Sequence, residues 1–255
     1  MLLRSITKHV KDQNWFAVAL DFFIVVAGIL IAFQITEWNE MRRDRAAEAE
    51  YLIALEQDIK TSVEEIAEVT ALFQEQEQAR QTLYEYSLNK DSELDPSELP
   101  RLIDSTLWSF PSVELRQTTF DTLSSSGQLG ILAEKQIVVA LQELAALIEE
   151  AETEKKHELY ALERFGDPIL YEHIDMSQVL RVKGLVVDGP RVPWIKDTSP
   201  NSSIPDFIKT QQFRNAVLFR SALTTERTET YERLRLKYLE IGELIDIRQN
   251  RIGDE

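Results

Sequence analysis

The sequence predicts an all-α protein: a single N-terminal transmembrane helix continuing into an elongated antiparallel helical bundle with a loop-rich insertion. Three observations carry that prediction. The 21 residues from Trp15 to Ile35 contain only Asp21 and Gln34 as strongly polar groups. Beyond them, apolar residues recur at intervals of three and four, and neither proline nor glycine interrupts residues 29–95. Of the eight prolines, five (Pro168, Pro190, Pro193, Pro200 and Pro205) fall in one stretch, which leaves most of the chain free to be helical.

Composition narrows the function classes. At 44% hydrophobic and 28% charged residues the 255-residue chain has the make-up of a folded protein. A net charge of −16 repels phosphate backbones, so no nucleic-acid partner is expected. The absence of cysteine removes disulfides, thiolate nucleophiles and cysteine metal sites together.

Residues 1–14 form the first segment. Leu2, Leu3, Ile6 and Val10 share one helical face, with Arg4, Lys8 and Lys11 around it, as in a short helix lying at a membrane interface. Residues 15–36 form the transmembrane helix: at about 1.5 Å per residue the apolar run matches a bilayer core of about 30 Å. Trp15 and Trp38 bracket it as interfacial anchors. The run leads directly into "TEWNEMRRDRAAEAE", a charged helical sequence without a small-residue cleavage site, so the segment is expected to remain as an anchor rather than leave as a signal peptide. Arg4, Lys8 and Lys11 before the span balance Arg42, Arg43 and Arg45 after it. Glu37, Glu40 and Asp44 interleave the second group, and a long following domain translocates largely regardless of charge. The N-terminus is therefore assigned to the cytoplasm and the C-terminal domain to the periplasm, the protein being single-pass in a bacterial inner membrane.

At 100° per residue, Ala17, Asp21, Val25, Gly28 and Ala32 fall on one side of the span. Gly28 and Ala32 form a small-xxx-small pair that admits a second helix, while Phe22, Phe23, Ile24, Leu30, Ile31 and Phe33 cover most of the remaining circumference for lipid. Asp21 has two readings. In one it meets a partner helix through a basic or hydroxyl group or by exchanging a proton; in the other, tilt and local water let it reach the interface without a specific role.

"HVKDQNWFAVALDFFIVVAGILIAFQITEWNE" (residues 9–40) resembles the opening of a family of uncharacterised bacterial membrane proteins, the domain of unknown function 6090 group. Members share an acid, an apolar "IVVxGxxIAxQ" run and then "NWNE" or a near relative. The likeness covers Asp21, Ile24, Val25, Val26, Gly28, Gln34, Trp38, Asn39 and Glu40, with Glu37 where many relatives have Asn. A second segment, "TFDTLSSSGQLGIL" (residues 119–132), is similar to the family's "tyxxLxsSGxLxlI" signature through Phe120, Leu123, Ser126, Gly127 and Leu129. The resemblance implies a membrane-anchored helical protein and supplies no activity.

Residues 37–165 make the first part of the bundle. Leu52, Leu55, Ile59, Val63, Ile66, Val69 and Phe73 mark a helix expected to reach Leu88, followed by a short helix around Leu99–Ser109. Another is predicted over Val113–Ser125. It ends at a helix-break motif, Ser126 and Gly127, where glycine suits a left-handed cap; a phosphate-binding nest at "SSSGQLG" lacks a lysine and a strand to support it. Ile137, Val138, Leu141, Leu144, Leu147 and Ile148 carry a helix from about Ala133 to Phe165. Residues 166–205 are the loop-rich insertion, with a short β-pair at "VLRVKGLVVDG"; this stretch either faces a ligand or closes the end of the bundle. Residues 206–255 form a long C-terminal helix carrying Phe213, Val217, Leu223, Tyr231, Leu234, Tyr238, Ile241 and Ile245 on one side. It is expected to pair antiparallel with the helix of residues 39–88 in coiled-coil fashion and to return the C-terminus toward the membrane.

No catalytic, cofactor-binding or metal-binding residue is predicted. His9, His157 and His173 are the three histidines, and Glu172, His173 and Asp175 lack a second histidine at a useful spacing. Neither a nucleotide loop nor a nucleophile elbow occurs, so no enzyme and no cofactor are expected. The expected role is a non-enzymatic interaction or scaffold protein of the bacterial envelope, in contact with membrane lipid and either self-associating as a homo-oligomer or bound to another membrane or envelope protein. The alternative is a sensor or accessory subunit of a membrane complex that uses intramembrane Asp21.

Overall fold

The computed structural model describes residues 15–89, 94–115, 117–181, 194 and 203–254, and every regular element among them is helical. The calls on residues 1–14 and on the part of the β-pair beyond Arg181 lie outside the described residues, as do the side chains of Trp15, Ala17 and Asp21. Helix α1 is Trp15–Leu88. The chain divides into two units, residues 1–51 and 52–255.

In the first unit α1 is the only described element, and its apolar side chains are bare: Phe22 is 66% exposed, Phe23 71% and Phe33 69%. A helix with lipid-like side chains turned outward has no aqueous explanation of the usual kind, in which one stripe faces a core. Among the described residues this is the one helix long and apolar enough to cross a membrane, and none of the apolar stretch is buried by the rest of the protein. Thr36 donates its hydroxyl to the Ala32 carbonyl at 3.0 Å, which satisfies the group within the helix.

In the second unit, residues 52–88 of α1, helix α4 (Lys135–Ala161) and helix α8 (Gln211–Asp254) form a bundle. Leu52, Leu55, Ile59, Ile66, Val69 and Phe73 are buried, at the three-and-four spacing read from the sequence. α8 runs antiparallel to this part of α1. Gln249 reaches Glu56, Phe73 packs on Tyr231 with ring centroids 5.7 Å apart, and Ser221 donates to Glu77. It is antiparallel to α4 as well, joined by Glu134–Arg251, Glu143–Lys237 and Glu150–Arg233 pairs.

Short helices close one end of this bundle. α2 (Leu99–Ile103) runs into a wide, i→i+5 turn over Asp104–Trp108. α4 continues through a similar turn at Leu162–Gly166 into α5 (Asp167–His173), followed by α6 (Met176–Arg181) and, later, α7 (Ser203–Ile208). Leu83, Ile103, Leu107, Leu170, Val179, Ile208, Phe213 and Val217 bury one another there. His173 stacks on Phe207 at 4.6 Å, and Phe207 meets Phe213 edge-on.

Three boundaries differ from expectation. The helix expected over Val113–Ser125 begins only at Thr118 (α3, Thr118–Ser125). Asp58 of α1 fixes the start, accepting from the Thr119 N–H at 3.0 Å and its hydroxyl at 2.7 Å. The loop-rich reading of 166–205 gives way at both ends, where α5, α6 and α7 insert Leu170, Val179, Ile204 and Phe207 into the core; Trp194 between them is 83% exposed. The C-terminal helix does not run unbroken from residue 206. The chain turns at Lys209–Thr210, where the Thr210 hydroxyl accepts from the Phe213 N–H at 3.1 Å and caps α8.

Candidate functional site

Two places merit attention, one in each unit. On α1, Val25, Gly28 and Ala32 are exposed, and nothing lies within 4 Å of where a Gly28 Cβ would be. Among the described residues this side of the helix therefore has no neighbour at that point. Trp38 is 59% exposed, with the Arg42 guanidinium 6.0 Å from its ring centre, a pairing suited to a membrane–water boundary.

Ser126 and Gly127 make a backbone device. Gly127 has φ 71°, the Gln128 N–H donates to Leu123 O at 2.9 Å and the Gly127 N–H to Ser124 O at 3.2 Å, the paired bonds of a Schellman cap. The Ser126 hydroxyl donates to Thr122 O at 2.7 Å. These groups are occupied in ending α3.

The second place was not read from the sequence. Arg80, Arg220 and Arg227 are buried to within 3% of full burial around Glu158, which is 1% exposed. The guanidinium of Arg220 is paired with the Glu158 carboxylate, to which Thr224 also donates at 3.1 Å. Arg227 Nε stands 3.0 Å from the other carboxylate oxygen without aiming its N–H at it. Arg80 is held by Glu77 at 2.9 Å and Gln76 at 3.1 Å.

The irregular segment after α2 explains why three arginines are inside. Residues 109–115 cross the bundle outside any helix, so buried carbonyls there need donors from elsewhere. Gln76 and Arg220 both donate to Ser109 O, at 2.9 and 3.1 Å, Arg227 to Pro111 O at 2.9 Å, and Arg80 to Thr106 O at 3.4 Å. Phe73 and Phe110 sandwich the Arg227 guanidinium at 4.5 and 4.4 Å. Burial pulls the Arg220 guanidinium down to about 10, against the opposing field of Glu158, and lowers Arg80 and Arg227 as well. All three remain cations at neutral pH, and one fully buried carboxylate faces three of them.

A cavity of about 330 Å³ opens beside this cluster, between α8 and the turn that links α4 to α5. Leu107, Leu162, Ile169 and Leu223 make its apolar wall, and Phe165 and Phe219, half-exposed and edge-on at 6.5 Å, stand among its lining residues. Arg220 also lines it.

One signal could have exposed the cluster. Val217, Arg220, Thr224, Arg227 and Tyr231 keep the same three-and-four spacing, as do Phe73, Gln76, Arg80 and Leu83, so polar residues occupy core positions of apolar stripes. Glu172, His173 and Asp175 do not converge with others: no group of three or more potential metal ligands occurs among the described residues. No family model matches the chain, and neither a curated protein nor a solved structure is similar to it.

Proposed function

We propose that the protein is a non-enzymatic, membrane-anchored helical interaction or scaffold protein of the bacterial envelope, akin to the domain of unknown function 6090 group through the two sequence segments described above. The carrying observation is the contrast along α1, whose residues 22–35 expose nearly every apolar side chain while residues 52–88 bury most of theirs. Outward-facing phenylalanines fit lipid, and a small-residue face left open at Gly28 fits a second helix, from another copy or from another membrane protein. In this reading the N-terminus is cytoplasmic and the bundle periplasmic.

Asp21 favours a second reading, a sensor or accessory subunit of a membrane complex, because an ionisable residue within a span is costly unless it is used. Crosslinking in native membranes followed by detergent purification tests both. A membrane partner or a self-crosslink that weakens in Gly28→Leu supports the scaffold reading, and its loss in Asp21→Asn as well supports the second. A crosslinking pattern unchanged in both variants would overturn the use of this face, and a cytoplasmic signal from a C-terminal reporter fusion would overturn the orientation.

A further inference from the structure

We propose that the cavity beside Arg220 binds a small amphipathic carboxylate, its apolar body between Phe165 and Phe219 and its charged end toward the guanidinium. The site lies in the bundle, and this assignment goes beyond the anchoring and partner reading without depending on it.

Size is the first argument. About 330 Å³ falls at the lower end of the range for small-molecule sites, and such sites are mostly apolar with a few placed polar groups. Charge is the second. Arg220 is the one charged residue lining the cavity among the described residues, it is 3% exposed, and its Nε–H has no acceptor. Behind it stand Arg80 and Arg227, with Glu158 as the only fully buried carboxylate in contact with the cluster among the described residues. Asp167 also reaches Arg220 with its field, as the weakest of the charges acting on it, and does not line the cavity.

Contrast with the other grooves of the bundle is the third. The groove along α1 and α8 is lined by Glu77, Glu229 and Glu232, that along α4 and α8 by Lys135 together with Glu143 and Glu240, and one beside Leu129 and Leu132 by Lys135. The first of these surfaces repels an anion, while the basic residue of the other two, Lys135, is exposed. Among these the Arg220 cavity is the one whose basic residue is buried, and a carboxylate is the group whose acceptor geometry matches a guanidinium.

The test uses the full chain in phosphatidylcholine nanodiscs, with 2-naphthoate as the probe and 2-naphthalenemethanol as its neutral counterpart, followed by calorimetry against empty nanodiscs. Saturable one-to-one binding of the acid is expected, with the alcohol weaker by about tenfold or more, the loss that accompanies a missing charged hydrogen bond. Ala216→Trp, which adds bulk at a half-buried lining position, should abolish binding while the variant keeps its helical content by circular dichroism. Arg220→Met should erase the preference for the acid; because that variant also strips Glu158 of a partner, the cavity-filling variant and the acid–alcohol pair decide the matter if it does not fold. Equal binding of acid and alcohol, undiminished binding in Ala216→Trp, or no saturable binding of the acid would each overturn the assignment.

Discussion

The two units place their side chains by opposite rules. Between Leu20 and Ile35 the first unit turns leucine, isoleucine and phenylalanine outward, whereas the second unit hides three arginines and a glutamate among its helices. Each inversion has a local cause. Outward phenylalanine suits a surrounding medium that is itself apolar, and inward arginine suits a bundle crossed by the irregular segment of residues 109–115, whose carbonyls need donors. What decides a side chain's position is the solvent or the polar group it must face, not its rank on a hydrophobicity scale.

If that contrast is right, damage to one unit should leave the other's property intact. The largest effect is expected from Glu158→Ala, which leaves Arg220 and Arg227 buried without their counter-charge. Breaking one side of a buried pair costs about 3–5 kcal/mol, so chemical denaturation of the full chain should show a large loss of bundle stability while membrane retention is unchanged. Ile24→Lys should do the reverse. A lysine near the middle of the span costs about 2.5–3.5 kcal/mol on insertion, read as a smaller membrane-bound fraction, with the bundle's unfolding midpoint unmoved.

A smaller effect is expected at alkaline pH. Burial pushes the Tyr238 phenol up to about 12, against the pull of the nearby Ser62 hydroxyl in the other direction. A folded-state value above the ordinary 10.0 means that the contribution is fully present below pH 10 and is lost as pH rises toward 12. That difference corresponds to about 2–3 kcal/mol. Arg220, lowered to about 10, acts in the opposite sense over the same range, so the comparison is differential: Tyr238→Phe should lose stability less steeply than the wild type between pH 10 and 12. The smallest effect belongs to Gly127→Ala. At φ 71° a side chain meets no neighbour, yet the left-handed backbone costs about 1–2 kcal/mol, measurable as a modest drop in thermal midpoint.

The helices and their apolar faces were legible because helical period and burial leave the same trace. Ile137, Leu141, Leu144, Tyr231, Leu234, Tyr238, Ile241 and Ile245 are buried at the positions that spacing assigns. The end of α1 at Leu88 and the glycine that stops α3 were legible for the same local reason. Helix starts were harder to read. α3 begins where Asp58, 61 residues earlier, caps it, and no window around Thr119 contains that information. The charged cluster was hidden because Arg220 and Glu158 look like ordinary surface residues until residues 62 positions apart are brought together. Their places on apolar stripes were the one local trace. The cavity beside them is a product of packing at the turn over Leu162–Gly166, which an apolar count does not reveal.

Carbonate extraction of native membranes carrying the full chain tests the central claim, that the exposed apolar stretch of α1 lies in lipid. The account predicts that the protein stays in the membrane pellet with residues 15–35 present by mass spectrometry. Release into the supernatant, or a mature chain that begins after Ile35, would contradict it.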